Sequence, residues 1–174
     1  MAERSSVPVL GFVAASGTGK TTLLSELIPR LGERGIRCAV IKHSHHDFEI
    51  DQPGKDSHWL RQAGAGQVLL ASPFRTFWVQ EGDGVSEPEL AGLLGRLDLE
   101  VLDLVLVEGF RHERLRKIEI HRQALGAPLL CLNDPDIIAV AADAEPSKAP
   151  ARPLLPLNDP DVIADFVIDW FQLA

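Results

Sequence analysis

The chain has 174 residues, a length that suits one domain over 1–174, and its 45% apolar and 24% charged residues allow a packed core and exclude general disorder. Seventeen Lys and Arg against 25 Asp and Glu leave a net charge of −8, which argues against an extended nucleic-acid or anionic-membrane surface. Two cysteines, Cys38 and Cys131, are too few for a disulfide scaffold, and both sit in apolar runs that read as core. The N-terminal MAERSSVPV lacks the apolar region of a signal peptide, and no apolar run reaches the 18 residues of a membrane span. The expectation is a cytoplasmic protein.

Apolar runs of strand length alternate with segments of helical period. VPVLGFVA (7–14) reads as a strand buried on both faces. In 20–35, Leu23, Leu24, Leu27, Ile28 and Leu31 recur at helical spacing, and Pro29 predicts a bend. IRCAVIKH (36–43) is a second strand, so strand, helix and strand within 40 residues predict a right-handed crossover and a parallel sheet. A polar loop (44–56) leads to a helix over 56–65, with Asp56 as its cap. Segments 67–72 and 75–80 predict a β-hairpin, in which Phe77–Val79 either pack in the core or form a dimer contact. A helix from a Ser86 cap over 86–97 and a strand over 103–109 come next. KIEIH, APLLCL and IIAVAAD are candidate strands, 145–153 is a Pro-rich connection, and 159–172 is a helix with Asp159 as cap and Pro160 in its first turn. The octapeptides LNDPDIIA (132–139) and LNDPDVIA (157–164) are near-copies, both expected to be turn-and-cap segments.

AASGTGKTT (14–22) matches the phosphate-loop pattern, with Ala14 where the first glycine often stands. Backbone N–H groups along Ser16, Gly17, Thr18, Gly19, Lys20, Thr21 and Thr22 would point at a phosphate, aided by the dipole of the following helix. Lys20 would reach the β- and γ-phosphates and the Thr21 hydroxyl would ligate Mg²⁺. Placement between an apolar strand and an amphipathic helix is the context this chemistry needs. The fold class is therefore α/β of P-loop NTPase type, a mainly parallel sheet flanked by helices with a hairpin excursion near 67–80.

Ligands of open parallel sheets bind beyond the carboxyl ends of the strands. Glu108 ends its strand and takes the role of holding Mg²⁺, whereas Asp103, about 16 Å away by strand rise, caps the far end. Asp51 is a further candidate for the magnesium shell. KHSHHD places Lys42, His43, His45, His46 and Asp47 at another carboxyl end, where they suit a zinc or nickel ion, an anion or pterin, or a solvated loop. Lys55 and Arg111 join them as candidate substrate or partner contacts, with Arg114 and Lys117 supplying further positive charge in the 111–117 run. No glutamine or serine is obviously placed to orient an attacking water, so the catalytic residues stay open.

GTGKTTLL, IKHSHHDFEIDQPGKDS, LRQAGA and DLVLVEGFRHERLRKIEI, in that order, resemble the molybdopterin-guanine dinucleotide biosynthesis protein B family. The resemblance implies a homodimeric GTP-binding protein with weak GTPase activity, acting as an adaptor for the enzyme that attaches GMP to molybdopterin during molybdenum cofactor assembly. Mg²⁺ and GTP are the implied ligands, and that guanylyltransferase, with molybdopterin itself, the implied partner. For the base, Asn133-Asp134-Pro135-Asp136 has the spacing of a guanine-reading segment but puts Asp where Lys belongs, so Asp136 and Asp143 are both candidates. Two alternatives remain at this point: a small-molecule P-loop kinase, and a nickel or zinc metallochaperone GTPase.

Overall fold

The structure, a computed structural model, describes residues 7–44, 47–49, 51, 53–148 and 150–173. Its chain divides into two compact units, one comprising the described residues up to His43 and from Leu90 onward, the other Ser44–Glu89.

The larger unit is built on a six-stranded sheet. Its strands are β1 (Val9–Val13), β2 (Cys38–Lys42), β5 (Leu104–Glu108), β6 (Arg116–His121), β7 (Ile137–Ala142) and β8 (Leu154–Pro156), in the order β2-β5-β1-β6-β7-β8. Every neighbouring pair is parallel. Parallel strands need crossovers, and α1 (Lys20–Glu33) supplies the first. Its Leu23, Leu24, Leu27 and Leu31 are buried with Leu10 and Phe12 of β1 and Leu104 and Leu106 of β5. The C-terminal helix α4 (Pro160–Phe171) adds Ile163, Ala164 and Val167 to the same core. Across the sheet, Ile41, Val105 and Val107 pack with Leu90 of the short helix α3 (Leu90–Leu94). Strands covered on both faces are almost wholly apolar, as the five buried residues of β5 show.

The smaller unit holds α2 (Asp56–Gln62) and the antiparallel hairpin β3 (Gln67–Ala71) and β4 (Thr76–Gln80), paired Leu69 to Trp78 and Leu70 to Phe77. Val68, Phe77 and Val79 share the more buried face, while Leu69 and Trp78 stand exposed on the other.

Most expected elements are present, with local corrections. Helix α1 runs unbroken through Pro29. Asp56 lies in the first turn of α2, whose cap position is Lys55. Ser86 caps no helix; its hydroxyl and N–H both donate to Asp83, at 2.6 and 2.7 Å, in a local turn before α3 begins at Leu90. The expected strand APLLCL is a 3₁₀ turn over Leu130–Leu132, held because Glu119 accepts the N–H groups of Leu130 and Cys131 at 2.7 and 2.8 Å. Strand β8 emerges at the end of the Pro-rich connection, and as an edge strand it tolerates Pro156. Both cysteines are free and half-buried against apolar clusters, and burial pushes each thiol up to about 11. Among the described residues no helix is long and apolar enough to cross a membrane.

Candidate functional site

The loop from Ala14 to Gly19 turns the chain from β1 into α1. Gly17 and Gly19 adopt φ of 76° and 97°, the left-handed region open to glycine, and Gly19 occupies the cap position of α1. Thr18 is buried and its hydroxyl donates to the Ala15 carbonyl at 2.6 Å, which ties the loop to itself. Ser16, Gly17, Thr21 and Thr22 are exposed and Lys20 is half-buried at the first turn. Free N–H groups at a helix start, with glycine in the approach, make a cradle for an anion.

Beside this loop stands a three-residue cluster. Glu108 closes β5 and Lys42 closes β2, and the parallel register places them opposite one another. The Thr21 hydroxyl donates to both Glu108 carboxylate oxygens, at 2.9 and 3.0 Å. The Lys42 ammonium donates to Thr21 Oγ1 at 3.0 Å and lies 3.4 Å from Glu108 Oε1. Glu108 is only 7% exposed, so its charge requires these partners. A hydroxyl and a carboxylate are hard oxygen donors of the kind magnesium takes, and the ammonium already shows that the pair attracts a cation.

After Glu108 the backbone turns sharply: Gly109 and Phe110 have φ of 99° and 50°. A Cβ on Gly109 would lie 2.8 Å from the Cβ of His43, so only glycine fits. The His43 N–H donates to the Glu108 carbonyl at 2.9 Å and its ring stacks on Phe110 at 4.7 Å. His45 and His46 lie outside the described residues. Among those described, no three His, Cys, Asp or Glu side chains converge on a metal-sized point.

Arg122 was not anticipated. Its Nε donates to the Thr18 carbonyl at 2.8 Å, clasping the glycine-rich loop from the carboxyl end of β6. Asp143, at the end of β7, accepts the Gln123 N–H at 3.0 Å and lies 3.6 Å from Arg122 Nη1, so its carboxylate supports this clasp. The one sequence signal was an arginine just past a strand that neighbours β1.

Two further candidates of the larger unit lie at the amino ends of its strands. Asp136, the expected base-reading position, immediately precedes β7 at its amino end, whereas the loop follows the carboxyl end of the parallel strand β1. Lys117 is likewise removed from the loop: it sits at the amino end of β6, 2% exposed, donating to Asp134 at 2.8 Å and to the Arg111 carbonyl at 3.0 Å. Arg114 is exposed and reaches toward Asp136 at 3.9 Å. Arg111 is exposed, as are Asp47 and Lys55 in the smaller unit. Asp51, also in the smaller unit, accepts the Ser57 hydroxyl at 2.8 Å and lies 3.7 Å from Arg61 Nη1.

The sequence profile of the family described as molybdopterin guanine dinucleotide synthesis protein B, MobB, matches residues 9–143. The chain belongs to this family. It is 47% identical over 173 residues, 99% of this chain and 98% of the relative, to the molybdopterin-guanine dinucleotide biosynthesis adapter protein of Escherichia coli (strain K12). The adapter protein of Haemophilus influenzae is 44% identical over 139 residues, 80% of this chain and 76% of that protein. A crystal structure of molybdopterin-guanine biosynthesis protein B superposes with a TM-score of 0.73 at 26% identity, covering 94% of this chain and 99% of the other. Bacillus subtilis MobB shares the fold, with a TM-score of 0.72 at 22% identity over 96% of this chain and 98% of that one. The parallel sheet flanked by helices is thus the MobB fold. The glycine-rich loop and Glu108 both fall within the matched span.

Proposed function

We propose that the chain binds GTP with Mg²⁺ at the loop formed by Ser16–Thr22, hydrolyses it slowly, and serves as an adapter in molybdopterin-guanine dinucleotide biosynthesis. The observation that carries the adapter role is likeness over nearly the whole of both chains to a protein of that description. Support for the nucleotide comes from the anion cradle beside the Thr21–Glu108 pair. Lys20, on the first turn of α1, contacts the β- and γ-phosphates. Thr21 and Glu108 hold magnesium, which neutralises phosphate charge when bound. In the same proposal Lys42, His43 and Arg111 contact the partner, the enzyme that joins GMP to molybdopterin. The protein works in the cytoplasm as a homodimer.

Calorimetric titration of the full chain with GTP, ATP and GDP, with and without that partner enzyme, tests this reading. GTP is expected to bind in preference to ATP, and the partner's guanylylated product to increase when the protein is added. Lys20→Ala should weaken GTP binding by about 2 kcal/mol, roughly thirtyfold, through loss of a charged phosphate contact. Unchanged GTP affinity in a folded variant would refute the site. Phosphorylation of a small acceptor from ATP, without effect on the partner, would favour a kinase instead.

A further inference from the structure

We propose that Lys42 is a built-in cation that competes with magnesium for Thr21 and Glu108, making metal binding conditional on nucleotide phosphate. This rests on the magnesium assignment above and adds a role for a residue outside the metal shell. The Lys42 ammonium lies 3.0 Å from Thr21 Oγ1 and 3.4 Å from Glu108 Oε1, while the Thr21 proton is held by both carboxylate oxygens. A magnesium ion on Thr21 Oγ1 would sit about 2.1 Å from that oxygen. The ammonium already fills the adjoining space, and two positive centres so close repel strongly.

One of the partners can leave and the other cannot. The Glu108 side chain is 10% exposed on a strand covered on both faces, whereas the Lys42 side chain is 52% exposed on the edge strand β2. A four-carbon stem with a strongly hydrated head moves readily. A bound anion gives it somewhere to move. Nucleotide phosphates bound at the start of α1 supply one, so the ammonium shifts to phosphate oxygen and releases Thr21 and Glu108 for the metal. Linkage makes the coupling reciprocal: what nucleotide gains from metal, metal gains from nucleotide. Lys42 sets the size of that coupling.

The test follows Mn²⁺ binding to the full chain by electron paramagnetic resonance of the free aqua ion, with and without a β,γ-imido analogue of GTP. The parent is expected to bind Mn²⁺ weakly alone and tightly with the analogue. Lys42→Met, nearly isosteric and uncharged, should bind Mn²⁺ on the order of tenfold more tightly without nucleotide and lose most of the enhancement. Lys42→Arg should keep the parental pattern. Mn²⁺ affinity of nucleotide-free Lys42→Met equal to or below the parent's would overturn the competition, provided the parent binds Mn²⁺ with the analogue and Glu108→Gln abolishes that binding. If Glu108→Gln binds Mn²⁺ as the parent does, the magnesium assignment itself falls, and the competition with it.

Discussion

At the residue scale, the site depends on small distances around Glu108. Its carboxylate receives the Thr21 hydroxyl at 2.9 and 3.0 Å, and the chain beyond it turns through Gly109 against His43. Glu108→Gln preserves shape and removes the charge, so the magnesium dependence of GTP binding should fall while metal-free binding changes little. Superimposable magnesium titrations of variant and parent would remove Glu108 from the role. Gly109→Ala forces a side chain into left-handed backbone and against the His43 Cβ. The expected cost is about 2 kcal/mol in urea unfolding, with weaker GTP binding as the Glu108 carbonyl and His43 shift. The turn was not legible beforehand because Glu-Gly-Phe carries no local signal of which residue crosses over it.

At the element scale, α1 joins the loop to the core. Leu27 is fully buried among the leucines of α1 and the apolar face of the sheet. Leu27→Ala should cost about 3 kcal/mol in chemical denaturation, from lost burial and the cavity left behind. A loss below 1 kcal/mol would mean that the helix repacks. The near-copies of LNDPD(I/V)IA show how far local sequence reaches. In the second, Asp159 accepts the Val162 N–H at 3.3 Å and Pro160 opens α4, as its cap and proline predict. In the first, Asp134 bonds Lys117 and the Asp136 N–H, and Ile137 opens β7. Asp159→Ala should therefore cost about 1 kcal/mol of helix capping in thermal unfolding, a loss tied to α4 alone.

At the scale of the molecule, acid stability reports the pair formed by buried Lys117 and half-buried Asp134. Burial pushes the Asp134 carboxyl up, but the Lys117 hydrogen bond, the Asp136 N–H and the charges of Lys117 and Arg111 outweigh it, so the group lies below its ordinary value. A depressed folded value means that the contribution is present above the unfolded value of about 3.9 and disappears as pH falls through the lower folded one. Asp134→Asn should lower stability near neutral pH by about 3 kcal/mol, since Lys117 loses its counter-charge while 2% exposed. Unfolding free energies measured from pH 7 down to pH 2 should then be flatter in the variant. Equal slopes in variant and parent would exclude this pair as a source of acid sensitivity.

By itself the sequence determined the elements whose information is local. An apolar strand, two glycines, a lysine and an amphipathic helix specify the loop, because turn chemistry and helical period act over a few residues. Glu108 at a strand's carboxyl end followed from the parallel crossover alone. Tertiary structure decided what lies opposite what. Lys42 meets Thr21 and Glu108 only because β2 pairs with β5 in register, and Lys117 meets Asp134 because β6 and β7 start side by side as parallel neighbours. Arg122 reaches Thr18 across more than a hundred residues because β6 lies beside β1. The two octapeptides diverge for the same reason: Ile137–Ala142 finds β6 and β8 on either side and completes the sheet, whereas Pro160–Phe171 finds α1 and the exposed face of the core. Non-local pairing and burial outweigh a propensity difference of a few tenths of a kcal/mol per residue.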